Sequence, residues 1–244
     1  MVFEICANSL ESCLAAQQGG AQRVELCAGI SEGGTTPSLG EIVITRNLLD
    51  IKLHVIIRPR GGDFLYSQDE KEIMLADIVM ARKARVDGLV FGCLNKDGEI
   101  DIEFTKELID TAEGLPITFH RAFDQCRDPF KALEQLIELG CNRILTSGQQ
   151  PTAEQGIPLL KKLIKQANNR IIIIPGSGIN ENNIRLIAEE TGAKELHFSA
   201  REPRKSEMHY YNPNIYMGTS PQDEYTLNVT TAERVRRTIE QLSI

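Results

Sequence analysis

Short runs of β-branched or alternating residues recur along the chain at roughly 2–6, 23–27, 53–58, 87–91, 116–120, 143–146, 170–174 and 195–199, each bounded by turn residues. Such runs predict eight strands. Between them lie amphipathic stretches at 9–18, 40–49, 69–84, 102–112, 129–139, 153–166 and 182–190, with a final one at about 230–242. Each is long enough for two to four helical turns. Asn8 and Ser9, Ser38, Asp128 with Pro129, and Asn180 stand where helices begin, and Gly140 and Gly192 where they end, as capping chemistry requires. Eight βα repeats in 244 residues predict one α/β domain over 1–244, a (β/α)₈ TIM barrel; a doubly wound open sheet would show fewer strands per domain. The rhythm fails over 202–228, a segment with Tyr210, Tyr211, Tyr216 and Tyr225. It is expected to be an irregular loop before the last helix, and its tyrosines suit an ordered contact such as a second subunit.

The phase of the alternation carries the chemistry. Glu4 and Cys6 share one face of the first strand and Phe3 and Ile5 the other, while Arg23, Glu25 and Cys27 oppose Val24 and Leu26 on the second. Because side chains alternate across a strand and the apolar set must cover helices, the polar set points into the barrel. His54, Ile56 and Arg58 fall together in the same way, as do Thr118 with His120, and Glu195 with His197 and Ser199. Acids buried in such a space need partners, so Glu4 and Glu25 are expected to be neutralised by His54, His120 and Arg58. That arrangement suits a structural ion-pair network as well as a set of acid–base catalysts, Glu4, Glu25, His54 and His120. Cys6, Cys27, Arg58, His120, Ser147 and Ser199 end their strands, on the side where barrel enzymes build their sites.

Composition narrows the partners. Lys and Arg total 27 against 34 Asp and Glu, a net charge of −7, which repels nucleic acid. The densest apolar run, 171–174, stops at Pro175 and Gly176, far short of the ~20 residues of a membrane span. No cationic leader precedes an apolar run, so the chain is expected in the cytoplasm. The loops after the strands are rich in glycine and arginine. Arg58, Arg60, Arg121, Ser147, Arg201 and the turn Gly176, Ser177 and Gly178 together make a candidate anion site, since guanidinium forks and close backbone amides suit phosphate and carboxylate. A tight turn alone would also explain the glycines.

Six cysteines are spread singly, without CxxC spacing, so neither disulfide framework nor structural zinc is expected. Cys6 and Cys27 nevertheless end adjacent strands in one phase, where a strand spacing of ~4.8 Å brings their sulfurs within reach of one ion. Two thiolates are too few for structural zinc but suit Cu(I); packing as small buried apolar groups is the plain alternative. Cys13, Cys93, Cys126 and Cys141 have no such partner.

These motifs together resemble the CutC copper homeostasis family: Glu4-Ile5-Cys6, Arg23-Val24-Glu25-Leu26-Cys27, Ser31 to Ser38, and the strings at 58–64 (RPRGGDF), 119–124 (FHRAFD), 144–151 (ILTSGQQP) and 175–180 (PGSGIN). The resemblance spans about residues 1–201. It implies a cytoplasmic barrel that forms homo-oligomers, a dimer or tetramer, and handles copper, and its cysteine positions fall on Cys6 and Cys27. Cu(I) capture by that pair is thus the leading expectation. The alternative is an enzyme acting on a small anionic or phosphorylated metabolite, and a scaffold recruiting a partner through the tyrosine segment is a third.

Overall fold

Helix starts are set locally by side-chain caps. Ser9 accepts the N–H of Ser12 at the start of α1 (Leu10–Gln18), Ser38 that of Glu41 at α2 (Leu39–Leu48), and Asp128 those of Phe130 and Lys131 at α5 (Pro129–Glu138). Ser67 and Glu70 close a reciprocal capping box on α3 (Gln68–Lys83), satisfying two backbone donors that a helix end leaves open. Asp101 caps α4 (Ile102–Thr111). Two starts differ from expectation. Residues 153–156 form turns, so α6 runs Ile157–Ala167, and Asn180 orders the turn before α7 (Ile184–Thr191), whose cap position is Asn183.

The strands are β1 (Val2–Ala7), β2 (Arg23–Leu26), β3 (Lys52–Ile56), β4 (Gly88–Phe91), β5 (Ile117–Phe119), β6 (Arg143–Thr146), β7 (Ile172–Pro175) and β8 (Glu195–Phe198). In this computed structural model, which describes residues 1–215, 217 and 224–242, they pair in parallel in the order β7-β6-β5-β4-β3-β2-β1-β8. β7 and β8 lie side by side, so the eight parallel strands curl into a nearly closed (β/α)₈ barrel. The register places Glu4 beside Arg23 and His197, and Glu25 beside Cys6 and His54. Parallel strands buried on both faces usually read as continuous apolar runs; here β1, β2, β3 and β8 alternate instead, because their inward face is polar.

The core is split by that alternation. Phe3, Ile5, Val24, Leu26, Leu53 and Val55 belong to the large apolar layer between sheet and helices, whereas Cys27, Ile56 and Val90, with Cys6 and Ile30 against them, form a separate small cluster. β4 presents Gly88 inward, and Gly92 follows it two turns of the pleat later. A Cβ on Gly88 would lie 2.5 Å from the His54 ring, and one on Gly92 would lie 2.6 Å from that of His120. Two histidines thus fit because their neighbour strand lacks side chains there.

The segment expected to be irregular begins and ends as a ribbon: β9 (Arg201–Lys205) pairs antiparallel with β10 (Thr226–Thr230), and α8 (Ala232–Glu240) follows. Pro203 and four charged residues masked β9 in the sequence, yet a two-stranded edge ribbon tolerates both. Tyr211 and Tyr225 pack edge-on with centroids 4.5 Å apart; Tyr216 lies outside the described residues. α8 closes on α1, where a Cβ at Gly19 would sit 2.5 Å from Val235. No helix among the described residues is long and apolar enough to cross a membrane.

Candidate functional site

The inward polar residues occupy two levels. Near the N-terminal ends of the strands, Arg23 bonds both Glu4 and Glu195, and Arg143 Nε lies 3.1 Å from Glu195. His197 Nδ1 is 2.7 Å from Glu4, and His54 Nδ1 is 3.9 Å from the same carboxylate. Glu4 is fully buried. Burial works to raise its carboxyl, but Arg23 and then His197 outweigh that and hold it far below the usual carboxylate range. His54 goes the other way, pushed down to about 4 by burial. The neutralisation expected of Glu4 is therefore carried largely by Arg23 and His197, and His197 also stands 3.6 Å from Glu25. Arg58 and His120 take no part in it, because they stand one level higher.

The upper level surrounds a cavity of about 300 Å³, lined by Cys6, Glu25, Arg58, Phe64, His120, Arg121, Ser177, Gly178, His197 and Arg201 among others. Cys6 Sγ and Cys27 Sγ are 3.4 Å apart, and Arg201 donates to Cys6 Sγ at 3.2 Å. Together with a Glu25 carboxylate oxygen the two sulfurs form a group whose atoms all lie within 4.8 Å of one another. Cys6 is held well below the ordinary thiol value, first by its hydrogen bond with Cys27 and then, against burial, by His197 and Arg201. Cys27 is pushed up, first by that same bond and then by burial. Burial also raises Glu25, to about 8, aided by the Cys6 and Glu4 charges against the pull of His197. Burial opposes the His197 cation, but its bonds to Cys6 and Glu4 prevail and raise the imidazole well above its usual value. Cys6, flanked by cations, therefore has the setting that favours thiolate, and Cys27 the one that favours thiol. Cys13, Cys93, Cys126 and Cys141, by contrast, are buried and pushed up to about 12.

The arginines and loop residues divide. Arg58 lines the cavity while its terminal nitrogens donate to the carbonyls of Glu32, Gly34 and Gly62, and it stacks on Phe64 at 4.9 Å. Arg60 is turned away, engaged by Glu70, Asp63 and the Leu65 carbonyl, so it does not line the cavity. Arg121 reaches the rim but is paired with Asp124 and donates to Ser147. Ser147 is fully buried, with its N–H and hydroxyl both on Asp124, which removes it from the cavity wall. Gly176 serves packing, since a Cβ there would lie 2.6 Å from Leu145 and 3.3 Å from His197. Ser177 and Gly178 do line the cavity, in left-handed backbone with φ of 84° and 74°.

Several site residues went unchosen in the sequence although their signals were there. His197 shares the inward phase of β8 with Glu195, and Arg23 that of β2. The part of Glu25 beside the sulfurs follows from its register with Cys6. Gly92 gave no signal, because its value is the space that it leaves.

The CutC family profile matches residues 1–202. A CutC family protein of Bacteroides thetaiotaomicron is 65% identical over 242 residues, covering 98% of this chain and 97% of that one. A human protein named copper homeostasis protein cutC homolog is 50% identical over 236 residues, covering 96% of this chain and 86% of its own length. The crystal structure of a CutC protein from Streptococcus agalactiae superposes with a TM-score of 0.79 at 38% identity, covering 82% of this chain and 98% of that one.

Proposed function

The chain belongs to the CutC family, and from that premise we propose that it serves copper homeostasis in the cytoplasm by taking Cu(I) between Cys6 and Cys27 at the barrel mouth. One observation carries the reading: two sulfurs from adjacent strands stand 3.4 Å apart beside a cavity. The donor set fits the ion. Thiolate is a soft ligand that selects Cu(I), and hard cations need more oxygen than one carboxyl supplies. Glu25, raised to about 8, is mostly protonated near neutral pH and competes weakly as a ligand.

The surrounding residues prepare the sulfurs. Metal binding needs thiolate and so releases protons. Arg201 and His197 stand against Cys6 with positive charge, and Glu4 fixes the His197 ring through its Nδ1, as an outer carboxylate orients a histidine beside a metal. The reading includes self-association as a dimer or tetramer, for which the exposed Val43, Ile44 and Leu48 of α2 offer apolar surface; sedimentation giving a monomer removes that part alone. For the copper site, a competition titration with a Cu(I) chelator compares the parent with a Cys6→Ser, Cys27→Ser double variant. The parent is expected to take up one Cu(I) per chain and the variant to lose that uptake. Equal affinity in both overturns the proposal.

A further inference from the structure

Beside the sulfurs, the same cavity holds polar atoms for which copper has no use. His120 is buried, and its Nδ1 accepts the N–H of Ala122 at 3.2 Å. An imidazole nitrogen that accepts carries no hydrogen, so the ring proton sits on Nε2. His120 Nε2 has no partner in the protein. It is therefore a buried N–H donor left open. Arg58 Nε and Arg201 Nε are likewise buried donors without partners, and neither guanidinium is paired with a carboxylate among the described residues. Three such donors around one cavity are unusual, since buried polar groups are nearly always satisfied. On the acceptor side, Glu25 Oε1 is also buried and unpartnered.

We propose that the barrel mouth is a binding site for a small hydroxylated organic anion, whose anionic oxygens take the N–H groups of Arg58, His120 and Arg201 and whose hydroxyl meets Glu25. The chemistry of the donors selects the class. Two guanidinium groups call for negative charge, and the neutral N–H of His120 adds a directional bond without requiring a second charge. A cavity of about 300 Å³ is at the small end of ligand pockets, which suits a metabolite rather than a nucleotide or a peptide. Phe64 packs 5.1 Å from the His120 ring and lies under Arg58, so both donors are held in place before a ligand arrives. Such preorganisation favours affinity. The site takes neither sulfur as a contact, but Arg201 and Glu25 also stand beside Cys6, so the variants that test it are placed at His120 and Arg58.

Phosphate esters and carboxylates share this chemistry, and calorimetric titration of the metal-free full chain with glycerol 3-phosphate and with malate separates them. Saturable binding of either supports the site, and the tighter probe identifies the anionic group. His120→Phe keeps the ring volume but removes the donor, and it is expected to weaken the bound probe about tenfold, the worth of one such bond, while leaving Cu(I) uptake unchanged. If circular dichroism finds that variant unfolded, Arg58→Lys, which keeps the charge and removes Nε, is read instead with the same expectation. No saturable binding of either probe overturns the proposal, as does binding that the folded variant retains in full. Neither failure touches the copper reading, which is tested on the sulfurs alone.

Discussion

The floor and the mouth of the barrel use the same kinds of residue for different ends. At the floor, Glu4, Arg23, Arg143 and Glu195 are interlocked, and each charge faces an opposite one. At the mouth, Arg58 and Arg201 face carbonyls, a sulfur and open cavity, and four side chains, Glu25, Arg58, His120 and Arg201, keep an unpartnered buried atom. The floor keeps an open atom too, His54 Nδ1, but its arginines and acids are paired with one another, and it is the mouth that gathers open donors around a cavity. His197 joins the two levels, with Nδ1 on Glu4 and Nε2 3.6 Å from Glu25. The alternation alone gives both levels the same residue types; height along the strands separates the carboxylate-paired arginines from those without a carboxylate partner.

The sharpest break of that comparison lies at the floor. Arg23→Met leaves Glu4 and Glu195 buried without their shared cation, and uncovering a buried pair in this way costs about 3–5 kcal/mol. Urea denaturation is expected to show that loss, whereas Arg58→Lys at the mouth is expected to cost about 1 kcal/mol, because its terminal N–H bonds to loop carbonyls can be partly kept. If the two variants lose equal stability, the floor and mouth are not different in kind.

Acidification sharpens the same contrast. His120 is pushed from 6.5 down to about 3 by burial and then by Arg58. In the unfolded chain the imidazole takes a proton near its ordinary value, while in the folded chain it stays neutral. The sign follows: stability is intact above about pH 6.5 and falls as the pH drops towards the folded value, by about 2 kcal/mol at pH ~5 for this one group. Urea midpoints of the parent and of His120→Phe, compared across that range, are expected to converge as the pH falls. Parallel curves would mean that His120 gains its proton in the fold as easily as in water.

Much of this was legible before any coordinates. The period of two in β1, β2, β3 and β8 gives both the barrel and the inward set, because one face had to be apolar for the helices to pack. Register gives the cysteine pair for the same reason. What the pattern could not supply is the angular position of each side chain. Arg60 shares the loop of Arg58, and Arg121 stands in one as rich in charge, yet Glu70 of α3 and Asp124, three residues after Arg121, turn them to other work. Arg23 reads as one more inward charge until Glu195 arrives from the far end of the chain. The ribbon of β9 and β10 was hidden by Pro203 and by charges that only an edge strand accepts.

The smallest expected effect tests the mouth from the other side. Cys6 is partly exposed, and Arg201 bonds its carbonyl as well as its sulfur. Cys27 Sγ also lies 3.4 Å from the Ala7 carbonyl. Cys6→Ala therefore strips one sulfur while each of its neighbours keeps a second contact, and little cavity opens that water cannot enter. Its cost in urea denaturation is expected to stay within about 1 kcal/mol, with the loss of Cu(I) uptake as its main consequence. A cost near that of Arg23→Met would make the thiol pair part of the structural network, since a residue retained for binding is one that the fold can spare.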